Sequence, residues 1–328
     1  MATTTTQSTH VNAMPPFAEH DKLGPLGGKP QVMNNDSELR RALVAEFANA
    51  AEAAREASAS VERGPADAVH SYRKALRRAR AVLALVSRAL PKSERRAVRR
   101  ALREARRALG AARDHAVAPE TLAGLPLDPI VRETAGAIVR TATDAMAPAA
   151  EIKQLLAEGA ARTAAQVEAL EAALPAGVPW SVVAKGVRST YDDARRARRA
   201  AKRSKRSFHT WRRRSKELGY QLELLANLAG PHVNELHREI EGATDPQGPA
   251  VDLIMLRDFV DTYSQGVSPD SLDPLVDAID AQLDELASAA RKAGKTAFAK
   301  KPRRFARRLT KAMRRDFAPP TPADDNVA

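Results

Sequence analysis

The sequence predicts an all-α chain built from two related helical halves, and three observations carry that prediction. A basic helical pattern occurs twice, as HSYRKALRRAR from His70 to Arg80 and as HTWRRRSKELGY from His209 to Tyr220. Each histidine is followed by a cation at plus three, plus four and plus seven, which is one face of one helix. A second landmark recurs at nearly the same distance. His70 precedes Asp114 by 44 residues and His209 precedes Asp252 by 43, and each aspartate has a glycine four places before it, Gly110 and Gly248. Lastly, aromatic residues make up only 4 % of the chain, so Ala, Leu and Val must fill the core. Such compact side chains suit close-packed helices.

The elements follow in order. Residues 1–36 contain Thr, Pro and Gly without periodicity and are expected to form a disordered tail. Helical patterning starts at Asn35 to Ser37, with Asp36 or Ser37 as the expected cap, and runs through ELRRALVAEFANAAEAAREA. Gly64-Pro65 ends that helix. The next is expected over about 67 to 90, capped by Asp67 and stopped by Pro91. On it, Arg73, Lys74 and Arg77 fall within about 60° of His70, while Leu76, Ala79, Val82, Leu83 and Val86 gather opposite. ERRAVRRALREARRALG reads as another basic helix, ending at Gly110. Residues 121–174 read as blander Ala-rich helices, with turns near Pro126 to Pro129 and at Pro148. Leu174 to Pro179 marks a boundary, and a second half starts at Trp180. Residues 228–250 are less regular. Residues 273–294 read as one helix, followed by a basic amphipathic segment interrupted at Pro302 and by a frayed tail over 319–328. The expected organisation is therefore one ordered region over 37–318, its halves meeting at about 176/177.

The formal charge of +13 calls for an acidic partner: nucleic acid, anionic lipid or a phosphate polymer. The chain has no cysteine, which excludes disulfides, thiolate chemistry and Cys-ligated metal. A cytoplasmic setting fits. No signal peptide is readable in the first 36 residues, and no stretch of about 20 apolar residues predicts a membrane span. There is no P-loop and no HExxH, and His and Asp show no metal-ligand spacing. The basic faces carry no acidic cluster of the kind phosphoryl transfer needs for Mg²⁺. The chain is expected to be no enzyme, without catalytic residues, metal or cofactor. Asp114 and Asp252 read as ion-pairing or capping residues.

From Arg195 to Lys216 there are twelve Lys or Arg residues and no acidic one. Such density repels itself on one helix unless the charges fan into water or meet an anion. Arg212, Arg213, Lys216 and Tyr220 share the face of His209, with Glu217 to one side, and Trp211, Leu218, Leu222 and Leu225 lie opposite. Cations at helical spacing form a ladder of phosphate-binding groups. Two such ladders facing each other make a groove with two basic walls. In it His70 and His209 are charge-tunable donors, and Tyr72 and Tyr220 are hydroxyl donors.

HSYRKALRRAR with LGAARDHAV, FHTWRRRSKELGYQLELL and FAKKPRRFARRL together resemble the CHAD family, the conserved histidine α-helical domain, over about residues 37–318. The resemblance implies two pseudo-symmetric helical bundles around a basic central groove, inorganic polyphosphate binding and, in some members, association with polyphosphate granules. His70, Arg73, Lys74, Arg77 and Arg80 match the first family signature. Arg106, Arg107 and Arg113 fall where the family is also basic. His209, Arg212, Arg213, Lys216 and Tyr220 match the second signature, and Lys301, Arg303 and Arg304 match a basic C-terminal motif around a proline. Two positions depart from the pattern: Gly219 stands where the family usually has Arg, and Glu217 where a further cation is common. Both lower the charge of the second wall, which Lys202, Arg203, Lys205 and Arg206 can offset.

The expected function is non-enzymatic binding of polyphosphate, in the cytoplasm and on its granules. The alternative is non-specific nucleic-acid binding that bridges granule and nucleoid. A third reading, membrane-surface binding, rests on Phe298, Phe305 and Leu309 beside many cations, and fails if these pack into the core. Oligomeric state and preferred chain length are left open.

Overall fold

The computed structural model describes residues 35–107, 110–144, 148–202 and 204–316; within these, the side chains of residues 107, 110–116 and 142–144 lie outside the description. The described residues form twelve helices and no strand. The first six are α1 (Asp36–Ala59), α2 (Pro65–Val86), α3 (Lys92–Arg107), α4 (Gly110–Ala123), α5 (Pro129–Asp144) and α6 (Ala149–Ala173). The last six are α7 (Trp180–Ala200), α8 (Lys205–Leu228), α9 (Pro231–Thr244), α10 (Gln247–Tyr263), α11 (Pro269–Ala297) and α12 (Pro302–Asp316).

Local chemistry sets the ends of these helices. The cap of α1 is Asn35 and not Asp36 or Ser37: its side-chain oxygen accepts from the backbone N–H of Ser37 at 3.0 Å and of Glu38 at 3.3 Å. Helix α2 starts at Pro65, in the first-turn position where a missing N–H costs nothing, with no side-chain cap from Asp67. Gly110 opens α4, where the sequence read it as the end of α3. The run of twelve cations is divided: α7 ends at Ala200, and α8 begins at Lys205 behind Ser204, whose hydroxyl accepts from Ser207 N–H at 3.2 Å. The stretch read as irregular, 228–250, contains the regular helix α9. Asp316, the last residue of α12, caps it from afar. Its carboxylate accepts from the N–H groups of His232 (3.0 Å) and Val233 (3.1 Å), and from His232 Nδ1 at 2.6 Å.

Helix α1 packs on α2 and α6, and α3 lies on α6. Helix α8 packs on α7 and α9, and α12 lies across α7 and α9. Helix α2 also packs on α7 and α8, so one continuous core joins residues from α1 to α12. Its large buried side chains are Phe47, Tyr72, Tyr191, Trp211, Phe298 and Phe305. A smaller core forms where α4 and α5 meet α10 and α11, around Leu122, Val139, Leu256, Val260 and Ile279.

Two expectations change here. Tyr72 is 0 % exposed and its hydroxyl points at α6, where a Cβ on Gly159 would lie 2.0 Å from it. Burial pushes the phenol up to about 12, and it serves as core, not as a surface donor. Phe298, Phe305 and Leu309 are likewise buried, which removes the membrane-surface reading of their segment. Among the described residues no helix is long and apolar enough to cross a membrane.

Candidate functional site

Helix α2 buries Tyr72, Leu76, Ala79 and Leu83 and so must turn its other face outward. Arg73, Arg77 and Arg80 stand on that face at i, i+4 and i+7, a ridge about two turns long. Helix α8 does the same. Phe208, Trp211, Ser215 and Leu218 go inward, leaving Arg206, His209, Thr210, Arg213, Lys216 and Glu217 on the outer side. Because α2 and α8 pack against each other, the two ridges converge. Between them lies a cavity of about 390 Å³. Arg73, Arg77 and Arg80 line one wall, Arg206, His209, Thr210, Arg212, Arg213, Lys216 and Glu217 the other, with Arg106 from α3 and Val251 from α10 completing it. Among the described residues eight Lys or Arg side chains thus face one another, with a single carboxylate among them.

The framework holds individual cations in place. Arg212 Nε donates to the carbonyl of Gln247 at 3.2 Å, tying α8 to the start of α10. Gln247 is itself buried and donates to Ala243 O at 2.9 Å. A Cβ on Gly248 would stand 3.3 Å from Arg212 Nη2, so the glycine gives the guanidinium its room. Burial holds the Arg80 guanidinium below its ordinary pKa. Glu217 opposes that shift, while repulsion from Arg106, Arg213 and Arg214 adds to it. Arg80 is therefore a partly dehydrated cation among cations, and an anion placed in the cavity would relieve both costs. Glu217 accepts from Arg214 Nη1 at 3.0 Å.

The cavity brings together eight of the residues singled out in the sequence: Arg73, Arg77, Arg80, Arg106, His209, Arg212, Arg213 and Lys216. Of the others, those with described side chains lie elsewhere. His70 is exposed one turn before Arg73, and Lys74 sits beside the ridge, half-buried. Tyr220 lines a different cavity, about 300 Å³, with Glu46, Glu52, Glu56, Arg78 and Glu223. Tyr220 shares a helical face with Arg213, but one face of α8 meets different neighbours along its length, and here α1 supplies the opposing wall. Lys301 and Arg303 line a third cavity, with Arg188, Arg195 and Arg199. Arg304 is exposed and lines none of these. The side chains of Arg107 and Arg113 lie outside the described residues.

Thr210 and Val251 carry no signal in the sequence, and Glu217 reads there as lying to one side of the face. Arg206 carries a readable signal, since it stands three residues before His209 on the same stripe. Glu217 enters because a cavity between helices is wider than one helical stripe. Among the described residues no group of three or more His, Asp or Glu is placed to hold a metal ion.

A family model, the CHAD domain, matches residues 45–261, about two thirds of the chain. The fold is similar to the crystal structure of the CHAD domain from the plant Ricinus communis, with a TM-score of 0.59 over 85 % of this chain and 97 % of that one, at 19 % identity. No curated protein matches the chain. CHAD domains are non-catalytic, all-helical binding modules, polyphosphate-associated as a family. With its model matched over most of its length, this chain belongs to the CHAD domain family.

Proposed function

We propose that this protein binds inorganic polyphosphate, without catalysis, in the basic groove between α2 and α8, and that it associates with polyphosphate granules in the cytoplasm. The halves carrying those two helices then act as two pseudo-symmetric bundles that supply one wall each. The observation that carries the reading is the convergence of eight cations, from α2, α3 and α8, on one cavity. A polyphosphate chain is a flexible string of charge with no bases, so it needs cations at close spacing and nothing to read an edge. Among the described residues the cavity lining contains no Phe, Tyr or Trp ring on which a nucleobase could stack.

The competing reading is non-specific nucleic-acid binding through backbone phosphates. Labelled long-chain polyphosphate competed with duplex DNA, at matched phosphate concentration over a salt series, separates the two. We expect DNA to displace the label only at a phosphate excess of tenfold or more, on the order of 1.4 kcal/mol in preference. Equal competition at every salt concentration would transfer the groove to nucleic acid. Sedimentation of the protein with isolated granules tests the association directly.

Glu217 gives a sharper expectation. Among the described residues it is the one carboxylate lining the cavity, and it must repel a polyanion seated there. Glu217→Gln keeps the shape and removes the charge. Polyphosphate affinity is expected to rise about threefold to tenfold at low salt and less at high salt, where screening already weakens the repulsion. Isothermal titration at two ionic strengths reads this. A fall in affinity would mean that Glu217 holds its neighbours in binding position and that its structural part outweighs its charge.

A further inference from the structure

The third cavity, about 550 Å³, is lined by Arg188, Arg195 and Arg199 of α7 and by Lys301, Pro302 and Arg303 at the start of α12. It shares no lining residue with the groove between α2 and α8. Among the described residues its five charged lining residues are all cations.

The surrounding contacts fix this arrangement. Arg188, Arg195 and Arg199 stand at i, i+7 and i+11, within about 20° of one line along α7. The turn before α12 is fastened to that helix from beneath. The buried Tyr191 hydroxyl bridges the carbonyls of Ala297 and Lys300 at 3.2 and 3.1 Å, and its ring stacks on Phe305 with centroids 4.0 Å apart. Arg195 Nε donates to the carbonyl of Phe298 at 3.2 Å. Lys301 and Arg303 are thereby held opposite the arginine ridge, where α12 also presents the positive end of its dipole. Asp192 lies near the same line of α7, but it pairs with Arg196 at 2.6 Å and does not line the cavity. Burial lowers the pKa of the neighbouring Arg198, and repulsion from Arg199 and Arg195 lowers it further, so the end of α7 is crowded with positive charge. The chain then passes to α8, whose Arg206 lines the first groove, and on the way carries the exposed cations Lys202 and Lys205.

We propose that this cavity is a second phosphate-binding station, which takes another stretch of a polyphosphate chain already seated between α2 and α8. The inference rests on the reading of the first groove given above. Once one stretch is bound, the second engages from the same molecule, at an effective concentration set by the phosphate chain between them. Affinity per phosphate unit therefore rises steeply at the length that reaches both stations. A single station gives no such rise, because longer chains then add only equivalent registers.

The test measures affinity per phosphate unit for polyphosphates of graded length, from about ten to several hundred units, in the wild type and in Arg199→Gln/Lys301→Gln/Arg303→Gln. All three side chains are exposed, and Arg195, which holds the turn, is kept. The wild type is expected to gain about tenfold or more per phosphate between short and long chains. The triple variant is expected to lose most of that gain. If it melts early, Arg303→Gln alone should show a smaller loss of the same kind. A wild type without length dependence, or a variant that keeps the full gain, overturns the second station and leaves the first groove standing. Failure of every length to bind the wild type overturns both.

Discussion

Replacing Arg77 and Arg213 together by glutamate is expected to weaken polyphosphate binding at least about a hundredfold near physiological salt, with the fold intact. The two residues come from opposite walls of the cavity, α2 and α8. Arg213 is exposed and Arg77 half-buried, so neither supports the core. Arg212 is a poorer choice, because it also ties α8 to the carbonyl of Gln247. A hydrogen bond to a charged partner contributes about 1.5–3 kcal/mol, so losing two costs roughly 3–6 kcal/mol before any repulsion from the new carboxylates. A hundredfold loss corresponds to about 2.7 kcal/mol and is the lower bound. Fluorescence anisotropy titrations over a salt series provide the affinity, and the dependence on salt should flatten as phosphate contacts are lost. Arg77→Lys/Arg213→Lys keeps the charge and should retain most of the binding. A loss of less than about threefold in the glutamate variant would place the ligand elsewhere.

Gly186→Ala is expected to destabilise the protein by about 2 kcal/mol, while Gly219→Ala stabilises it by up to about 1 kcal/mol. Both glycines are helix-interior and neither has a positive φ, so both substitutions gain the same helix propensity. They differ in what the new methyl meets. At Gly186 it would stand 2.8 Å from the carbonyl oxygen of Leu85, 2.9 Å from Leu85 Cα and 3.0 Å from the carbonyl oxygen of Ala84. These are backbone atoms of α2 that no rotamer change can move, so α7 must shift away from α2. At Gly219 nothing lies within 4 Å. Thermal unfolding should place Gly186→Ala roughly 4–8 °C below the wild type and Gly219→Ala slightly above it. Equal melting temperatures for the two variants would show that the α2–α7 crossing is looser than its glycine contact implies.

The two basic ridges are readable from the sequence because each is local. Residues three, four and seven apart share a helix face whatever the rest of the chain does, so Arg73, Arg77, Arg213 and Lys216 can be grouped without a structure. Helix boundaries marked by proline, at Pro65, Pro129, Pro148 and Pro302, are legible for the same reason. Gly110 is not, since a glycine beside a helical pattern can end one helix or begin another, and its own residue type does not say which. The run from Arg195 to Lys216 carries charge without a break, and the start of a new helix at Lys205 depends on Ser204 capping α8.

What the sequence determined by itself is the all-helical class, the cationic character of two helix faces and the family to which the chain belongs. Each depends on residues close together along the chain, or on a pattern repeated within it. Only the tertiary structure decided which of those cations meet. Arg73 and Arg213 are distant in sequence and share a cavity, while Tyr220, only seven residues beyond Arg213 on the same helical face, opens onto another. Lys301 and Arg303 resemble the same family's basic motif yet face Arg188 and Arg199, and Tyr72, polar in sequence, is core. Spacing along a helix sets the direction of a side chain relative to its own axis. The crossing of α2, α7 and α8, close enough to need Gly186, sets what that side chain faces.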